Sequence, residues 1–596
     1  MKHLFFFNKY FRKYKFRLLL GILFVSVSNY FGVLSPRIIR YSFDLVKENI
    51  GFYRLFNGLS IQEEFYSVFG TALMFFGLIV LLLAVLKGLF MFFMRQTIIV
   101  MSRFIEYDLK NEIYRHYQFL STAFYRRNNT GDLMSRISED VSRVRMYLGP
   151  AIMYSINLVV LFVLVISAMI AVNPKLTFYV LTPLPILSIS IYYINNLINK
   201  RSEAIQQKLS KLTTEAQEVY SGIRVIKSFV QEKQILGFFD KESEEYKEKA
   251  LKLARVEAFF FPMMLMLIGI STILTIYIGG IQVIQGVITP GNVAEFVIYV
   301  NMLTWPVTSI GWVASIIQRA AASQKRINEF LDTPPEISSK NPSAFQLKGA
   351  IAFKNVSFTY PDTGIRALRD IEFELKPGEK MAVVGKTGSG KSTVAELLMR
   401  MYDATSGEIL IDKTPVKDLN LDALRAQIAY VPQDVFLFSD TIENNISFGL
   451  ETSDIELVKE AAKRASIHDE IMELPRGYNT LVGERGVTLS GGQKQRISLA
   501  RAFAKNPQLI ILDDCLSAVD ANTEKVILST LSDFLKDKTA IIITHRIFSL
   551  LDPDKIIVLE DGAVIESGTH KSLISSKGKY YEMYKHQQEE EKIQST

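Results

Sequence analysis

Six stretches of this chain are apolar and nearly free of charge: Leu18–Leu34, Phe65–Leu86, Met146–Val172, Leu176–Ile198, Ala258–Gly286 and Phe296–Ile317. A helix needs about 20 such residues to cross the hydrocarbon of a bilayer, and most of these runs reach that length. The first can borrow length from its flanks. One such run suits a buried core helix, but six in series do not. The first half of the chain is therefore expected to be an all-α membrane domain of six helices in a lipid bilayer.

Lys and Arg crowd the N-terminus and the second and fourth gaps between the spans, while the first, third and fifth gaps hold few. By the positive-inside bias both termini are expected on the cytoplasmic side of a cell membrane, in a multi-pass topology. The same distribution accounts for the net charge of +7 without a nucleic-acid partner. In "KHLFFFNKYFRKYKFR", Leu4, Phe7, Phe11 and Tyr14 fall at helical spacing among Lys9, Arg12, Lys13 and Lys15. That stretch reads as an amphipathic helix at the inner interface, and not as a cleavable signal, because no small-residue cleavage site follows the first span.

The gaps at about 94–145 and 198–257 are long and charged, with apolar residues at helical spacing. They are expected to continue the spanning helices far into the cytosol. Each should break once, at "RRNNTGD" (126–132) and around Gly237. After Arg319 the composition changes, and "DTPPEISSKNPS" (332–343) reads as a linker. Beyond it, apolar β-branched runs at Met381–Val384, Gln427–Val431, Leu509–Leu512, Thr539–Thr544 and Lys555–Leu559 alternate with helical segments, the pattern of an α/β domain with a largely parallel sheet. The expected division is a membrane domain over 1–325, a linker over 326–350, an α/β domain over 351–585 and a charged, frayed tail over 586–596.

The α/β domain carries the chemistry. "GKTGSGKS" (Gly385, Lys386, Thr387, Gly388, Ser389, Gly390, Lys391, Ser392), followed by Thr393, lies between a strand and a helical stretch. This is a phosphate-binding P-loop in its proper context: backbone N–H groups curl around phosphate oxygens, Lys391 reaches the β/γ-phosphates and Ser392 ligates Mg²⁺. "LSGGQ" (Leu489, Ser490, Gly491, Gly492, Gln493) precedes "KQRISLARAFA" and reads as a second phosphate-facing helix start, with Ser490 as hydroxyl donor. Alone it is ordinary loop composition. The two elements need not serve the same nucleotide from the same chain. "LIILDDCLSAVD" (509–520) is an apolar strand ending in paired carboxylates, Asp513 and Asp514. Cys515, the single cysteine, excludes an internal disulfide and reads as a small buried residue.

In this order the motifs resemble those of an ATP-binding cassette (ABC) transporter, and the whole layout resembles an exporter half-transporter. The resemblance implies ATP and Mg²⁺ as cofactors. It assigns Tyr360 of "FTYPD" to stacking on adenine and Gln433 of "YVPQD" to sensing Mg²⁺ and the attacking water. "VGERG" (482–486) matches the segment that contacts the membrane domain. "LSGGQ" matches the signature, offered to a partner's ATP. Asp513 matches the Mg²⁺-positioning residue, Asp520 the loop that crosses the dimer interface, and His545 the switch histidine at the γ-phosphate. Residues 124–145 and the stretch near Phe229–Phe239 resemble the two coupling regions. The family works as a dimer of two halves, so a second half-transporter is implied.

The family's usual residue after Asp513 is a glutamate. Here it is Asp514, and a misplacement of about 1 Å can cost on the order of a hundredfold in rate. Either the loop shifts and Asp514 works, or this site binds ATP and hydrolyses it slowly. With the signature intact, the second reading resembles the degenerate half of heterodimeric bacterial multidrug exporters. A homodimer is the alternative.

For the cargo, "FFFPMMLMLIG" (259–269) and "MLTWPVT" (302–308) offer Phe, Met and Trp surfaces suited to varied apolar guests, if they do not merely face lipid or neighbouring helices. Export of a small amphiphilic substrate is the expectation. Flipping of lipids or lipid-linked substrates, and a regulatory subunit whose ATP site mainly stabilises a dimer, are the alternatives. Arg37, Arg40 and Asp44 read as gate, pairing or interfacial residues.

Overall fold

The computed structural model describes residues 2–594 except 56, 57, 59, 60, 340–342, 344, 484, 485, 487 and 547–551. The chain forms two compact units, one of Met1–His116 and Gly131–Thr333, the other of Tyr117–Thr130 and Pro334–Thr596.

Among the described residues, six helices in the first unit are long and apolar enough to cross a membrane. They outrun their apolar stretches: Glu232–Ile284 has 53 residues, roughly 80 Å at the α-helical rise, against about 30 Å of hydrocarbon. The N-terminal amphipathic stretch starts as a 3₁₀ segment, Lys2–Phe7, before Asn8–Lys13 turns α-helical. Phe7 and Tyr10 are buried, and Lys9 and Lys13 pair with Glu112 and Asp108 at 2.7 and 2.6 Å. Its basic side thus docks on the long helix Ile61–Phe119.

The expected break near Gly237 is not there, because Gly237 lies inside the helix Glu232–Ile284. The chain turns earlier, through the short helix Ile223–Phe229, with Gly222 before it and Val230 after it at φ 55°. A left-handed β-branched residue is costly and therefore hard to foresee. In the other gap the break falls where expected, with Asn128 extended between Thr122–Arg127 and Thr130–Ser135.

Arg40 and Asp44 turn out to be pairing residues. Arg40 Nη1 lies 3.2 Å from Oε2 of the fully buried Glu295, which also accepts from Tyr299 Oη at 2.9 Å. Asp44 accepts from Thr289 Oγ1 and the Gly291 N–H at 2.8 and 3.0 Å, capping the last spanning helix, Pro290–Leu331.

In the second unit six strands among the described residues form one sheet, in which Lys380–Gly385 lies between Thr539–Thr544 and Lys555–Glu560. Leu509–Asp513 pairs with Thr539–Thr544, and Ile428–Val431 pairs with Leu509–Asp513, all parallel. Ala563–Gly568 closes the far edge antiparallel. Leu509–Asp513 and Thr539–Thr544 are buried at every position, which is why they read as continuous apolar runs. A second, antiparallel sheet holds Ile351–Thr359, Arg366–Leu375, Ser406–Ile411 and Thr414–Pro415. The tail expected to fray is instead helical from Lys579 to Gln594, with Lys585 and Glu589 paired one turn apart.

Candidate functional site

Because the strands ending at Gly385, Thr544, Asp513 and Val431 are parallel neighbours, their C-terminal ends meet along one sheet edge. The residues just past each strand are therefore brought together: the P-loop, His545, Asp514 and Gln433. A crevice outside the carboxyl ends of parallel strands is where ligands bind in such sheets. Here it is a cavity of about 530 Å³ whose lining includes Tyr360, Thr387, Lys391, Ser392, Gln433, Asp513, Asp514 and His545.

The loop 386–390 turns into the helix Lys391–Leu398 at Gly390, where φ is 96° and any Cβ would strike the Ala367 carbonyl. Lys391 Nζ donates to the Gly385 and Lys386 carbonyls, each at 2.8 Å, and its burial lowers the ammonium pKa. The neighbouring Ser389 Oγ is buried and finds no hydrogen-bond partner among the described residues.

Asp513 is almost fully buried. Burial pushes its carboxyl pKa up, and the Ser392 hydroxyl offsets part of that rise. Ser392, Asp513 and Gln433 line that cavity together and carry oxygen donors, the kind of ligand that suits Mg²⁺, which binds through few protein ligands plus phosphates and water. No cluster of three or more His, Cys, Asp or Glu able to hold a metal occurs among the described residues, so phosphate oxygens would have to complete such a site.

Asp514 sits in the left-handed region at φ 48°, its N–H fixed to the Ile543 carbonyl at 2.8 Å. Its carboxylate is held from both sides: His545 Nδ1 lies 3.0 Å from Oδ1, and Gln433 Nε2 donates to Oδ2 at 3.3 Å. Cys515 is buried and burial raises its thiol to about 12, which leaves it unreactive.

Tyr360 donates to Glu396 at 2.7 Å and lies 2.9 Å from Thr393 Oγ1. Behind it stands a residue that sequence reasoning missed. The Arg126 guanidinium, on the short helix Thr122–Arg127, lies 5.1 Å from the Tyr360 ring centroid and 3.4 Å from Glu396. Only the assignment of Tyr117–Thr130 to this unit reveals the contact, since nothing in a charged cytosolic gap marks which arginine meets which ring.

Ser490 caps the helix Gly491–Lys505 in a reciprocal capping box with Gln493. Gly492 lies against the backbone of the loop 514–520, where a Cβ would come within 2.7 Å of the Ala518 carbonyl. Gln495, also missed from the sequence, clips that loop by donating to Ser517 Oγ and accepting from the Ala518 N–H, both at 2.9 Å. Asp520 caps the helix Ala521–Phe534 through the Thr523 N–H. Among the described residues, none of Leu489–Gln493 lines the cavity that Lys391 and Asp513 share. Of "VGERG", Glu484 and Arg485 lie outside the described residues.

The family model for the ABC transporter transmembrane region matches residues 18–307, and that for the ABC transporter matches residues 368–517. The multidrug resistance-like ATP-binding protein MdlA of Escherichia coli is 36% identical over 529 residues, 89% of this chain and 89% of that protein. A putative multidrug export ATP-binding/permease protein of Staphylococcus aureus is 34% identical over 578 residues, 96% and 98% of the two chains. The solved structure of a bacterial Atm1-family ABC exporter with ATP bound matches with a TM-score of 0.76 at 26% identity, covering 96% of this chain and 98% of that one. The two family matches, relatives of this identity and coverage, and six helices long enough to span a membrane joined in one polypeptide to a phosphate cradle at a parallel sheet edge make this chain a member of the ABC transporter family, an exporter-type half-transporter that binds ATP and couples its hydrolysis to transport.

Proposed function

We propose that this chain exports small hydrophobic or amphiphilic compounds by alternating access, as the half of a heterodimer whose own ATP site is slow. The observation that carries the dimer is the division of the cassette: the cavity gathers the P-loop and the carboxylates but nothing from Leu489–Gln493. That signature is left to serve a phosphate held by another chain. The choice of cargo rests on the relatives named for multidrug resistance or export and on the Phe, Met and Trp side chains exposed on the spans at Phe259, Phe261, Met266 and Trp305.

In this reading adenine stacks on Tyr360, the P-loop from Gly385 to Thr393 holds the phosphates, and Ser392, Asp513 and Gln433 hold Mg²⁺. Bound there, Mg²⁺ neutralises phosphate charge. Asp514 takes the proton of the attacking water, Gln433 orients that water, and His545 meets the γ-phosphate. Asp520 lies on the loop that faces the other half. Both termini are cytoplasmic.

The test is ATP-dependent accumulation of an amphiphilic dye in vesicles that carry this chain, alone and with its partner half. Accumulation should fall at least about tenfold in Lys391→Ala, which loses the phosphate-binding ammonium. Dye movement that ignores this substitution, or that never appears, would sink the proposal.

Arg126→Ala is expected to weaken nucleotide binding about threefold, the worth of an exposed cation–π contact of roughly 0.5–1 kcal/mol. Titration with a fluorescent ATP analogue reads this directly. Unchanged affinity would mean that Glu396 and Thr393 alone hold Tyr360 in place.

A further inference from the structure

Gln493 completes the capping box of the helix Gly491–Lys505 by accepting the Ser490 N–H on Oε1 at 2.9 Å. The other end of that amide is also taken. Its Nε2 donates to Glu470 Oε2 at 2.9 Å, on the short helix His468–Glu473. The same carboxylate binds the buried Arg496, which stands one turn after Gln493 on the same helix face. Arg496 donates from Nη1 and Nη2 to Glu470 Oε1 and Oε2 at 2.5 and 3.0 Å. Its Nη1 also donates to the Ser466 carbonyl at 2.7 Å.

Holding two helices together does not require all of this, because the pair of Glu470 and Arg496 would do it alone. What Gln493 gains from the third partner is direction. A glutamine amide is nearly symmetric in shape but opposite in chemistry at its two ends. Turned over, it would aim N–H at the Ser490 N–H, and the box would open. A carboxylate only accepts, so Glu470 takes the NH₂ end and sends the oxygen to Ser490. A box closed in this way uses the Ser490 and Gln493 N–H groups. Those of Gly491 and Gly492, at the first turn of the helix, are left for a ligand. Charge matters as well. A bare carboxylate beside a helix end that must meet phosphate would repel it, and the forked pair with Arg496 cancels that charge. About 200° round the helix from Gln493, Gln495 clips the loop 514–520. The helix start is thus held from two sides, and Glu470 supplies one of them.

We infer that Glu470 is a positioning residue for ATP hydrolysis: it sets the Gln493 amide and the Arg496 guanidinium so that the start of the helix Gly491–Lys505 meets phosphate in one fixed orientation. Glu470 itself touches no nucleotide. The inference rests on the reading that this signature serves ATP held by the other half, and it gives the signature a support outside Leu489–Gln493. A defect at Glu470 therefore falls on the nucleotide in the other half's P-loop.

In the full-length complex with the partner half, Glu470→Gln should lower kcat about tenfold with KM for ATP nearly unchanged, part of the hundredfold that a displacement of about 1 Å can cost. Gln493→Glu sets two carboxylates face to face and should lose as much. The two substitutions together exchange donor and acceptor across the same contact and keep one negative charge beside Arg496. The double variant should recover most of the turnover. Vanadate trapping of a photoreactive ATP analogue, read on each chain separately, locates the loss: label should fall on the partner. Full turnover in Glu470→Gln overturns the inference and leaves the dimer reading intact. Turnover that falls only in step with the melting temperature, or that the double variant fails to restore, also overturns it, because Glu470 would then merely join two helices. Loss of label confined to this chain would instead sink the reading that its signature serves the other half.

Discussion

Asp514→Glu is expected to raise ATP turnover by this chain on the order of a hundredfold, with the affinity for ATP little changed. The carboxylate now stands on a side chain one methylene shorter than the family's glutamate and is held back by two neighbours, His545 at 3.0 Å and Gln433 at 3.3 Å. Both contacts hold the carboxylate at its present reach, one methylene short of the family's glutamate. The backbone can accept the longer residue. The Asp514 N–H is fixed to the Ile543 carbonyl at 2.8 Å, so the sheet holds the left-handed conformation whichever acid is present. That conformation is easier for Asp than for Glu, and a small loss of stability should accompany the gain in rate. Because the residues that grip phosphate are untouched, the change belongs in kcat and not in KM. Steady-state turnover of purified protein, with Lys391→Ala as zero, measures it. An unchanged kcat would mean that Asp514 already reaches the water, and that the slow-site reading is wrong.

How much of this was legible beforehand depended on whether a residue's job was local. The six spans, the P-loop and the buried strand Leu509–Asp513 declare themselves, because each needs only its own run of residues: apolar length, glycine spacing, a run buried on both faces. The antiparallel sheet went unread. Its strand Ile351–Thr359 is broken by register shifts and by Asn355 at positive φ, so no clean alternation survives. The turn expected at Gly237 failed for the opposite reason. Glycine is tolerated inside a long helix stabilised by its neighbours, while the real turn uses Val230, a residue no turn rule nominates. Arg126, Glu396 and Gln495 escaped because their meaning is a partner far away in sequence. Arg126 reads as one more basic residue in a charged gap until Tyr360 is found beneath it. The P-loop, Gln433, the paired carboxylates and His545 were collected in one cavity by the parallel order of four strands, which pattern reading implies only loosely.

The second large effect separates the two kinds of dimer. In a complex of this chain with a partner that carries glutamate at the position of Asp514, Ser490→Arg in this chain should cut ATP turnover at least about tenfold. Asp514→Asn in the same chain should cost less than about twofold, because the site it enters contributes little to begin with. The first substitution acts on a helix start. Ser490 caps the helix Gly491–Lys505 by accepting the Gln493 N–H at 3.2 Å, and it presents a hydroxyl beside the helix's positive end. Arginine removes the cap, worth about 1 kcal/mol, and puts a long side chain where a phosphate oxygen must approach the backbone. Folding of the cassette should survive, since the loop 514–520 stays clipped by Gln495 to Ser517 and Ala518. If the working assembly were two copies of this chain, every site would contain both residues, and both substitutions would strike both sites. Turnover would then fall in each variant. An asymmetric pair of losses is possible only if this chain's signature and its carboxylate serve different ATP molecules, one hydrolysed quickly and one slowly.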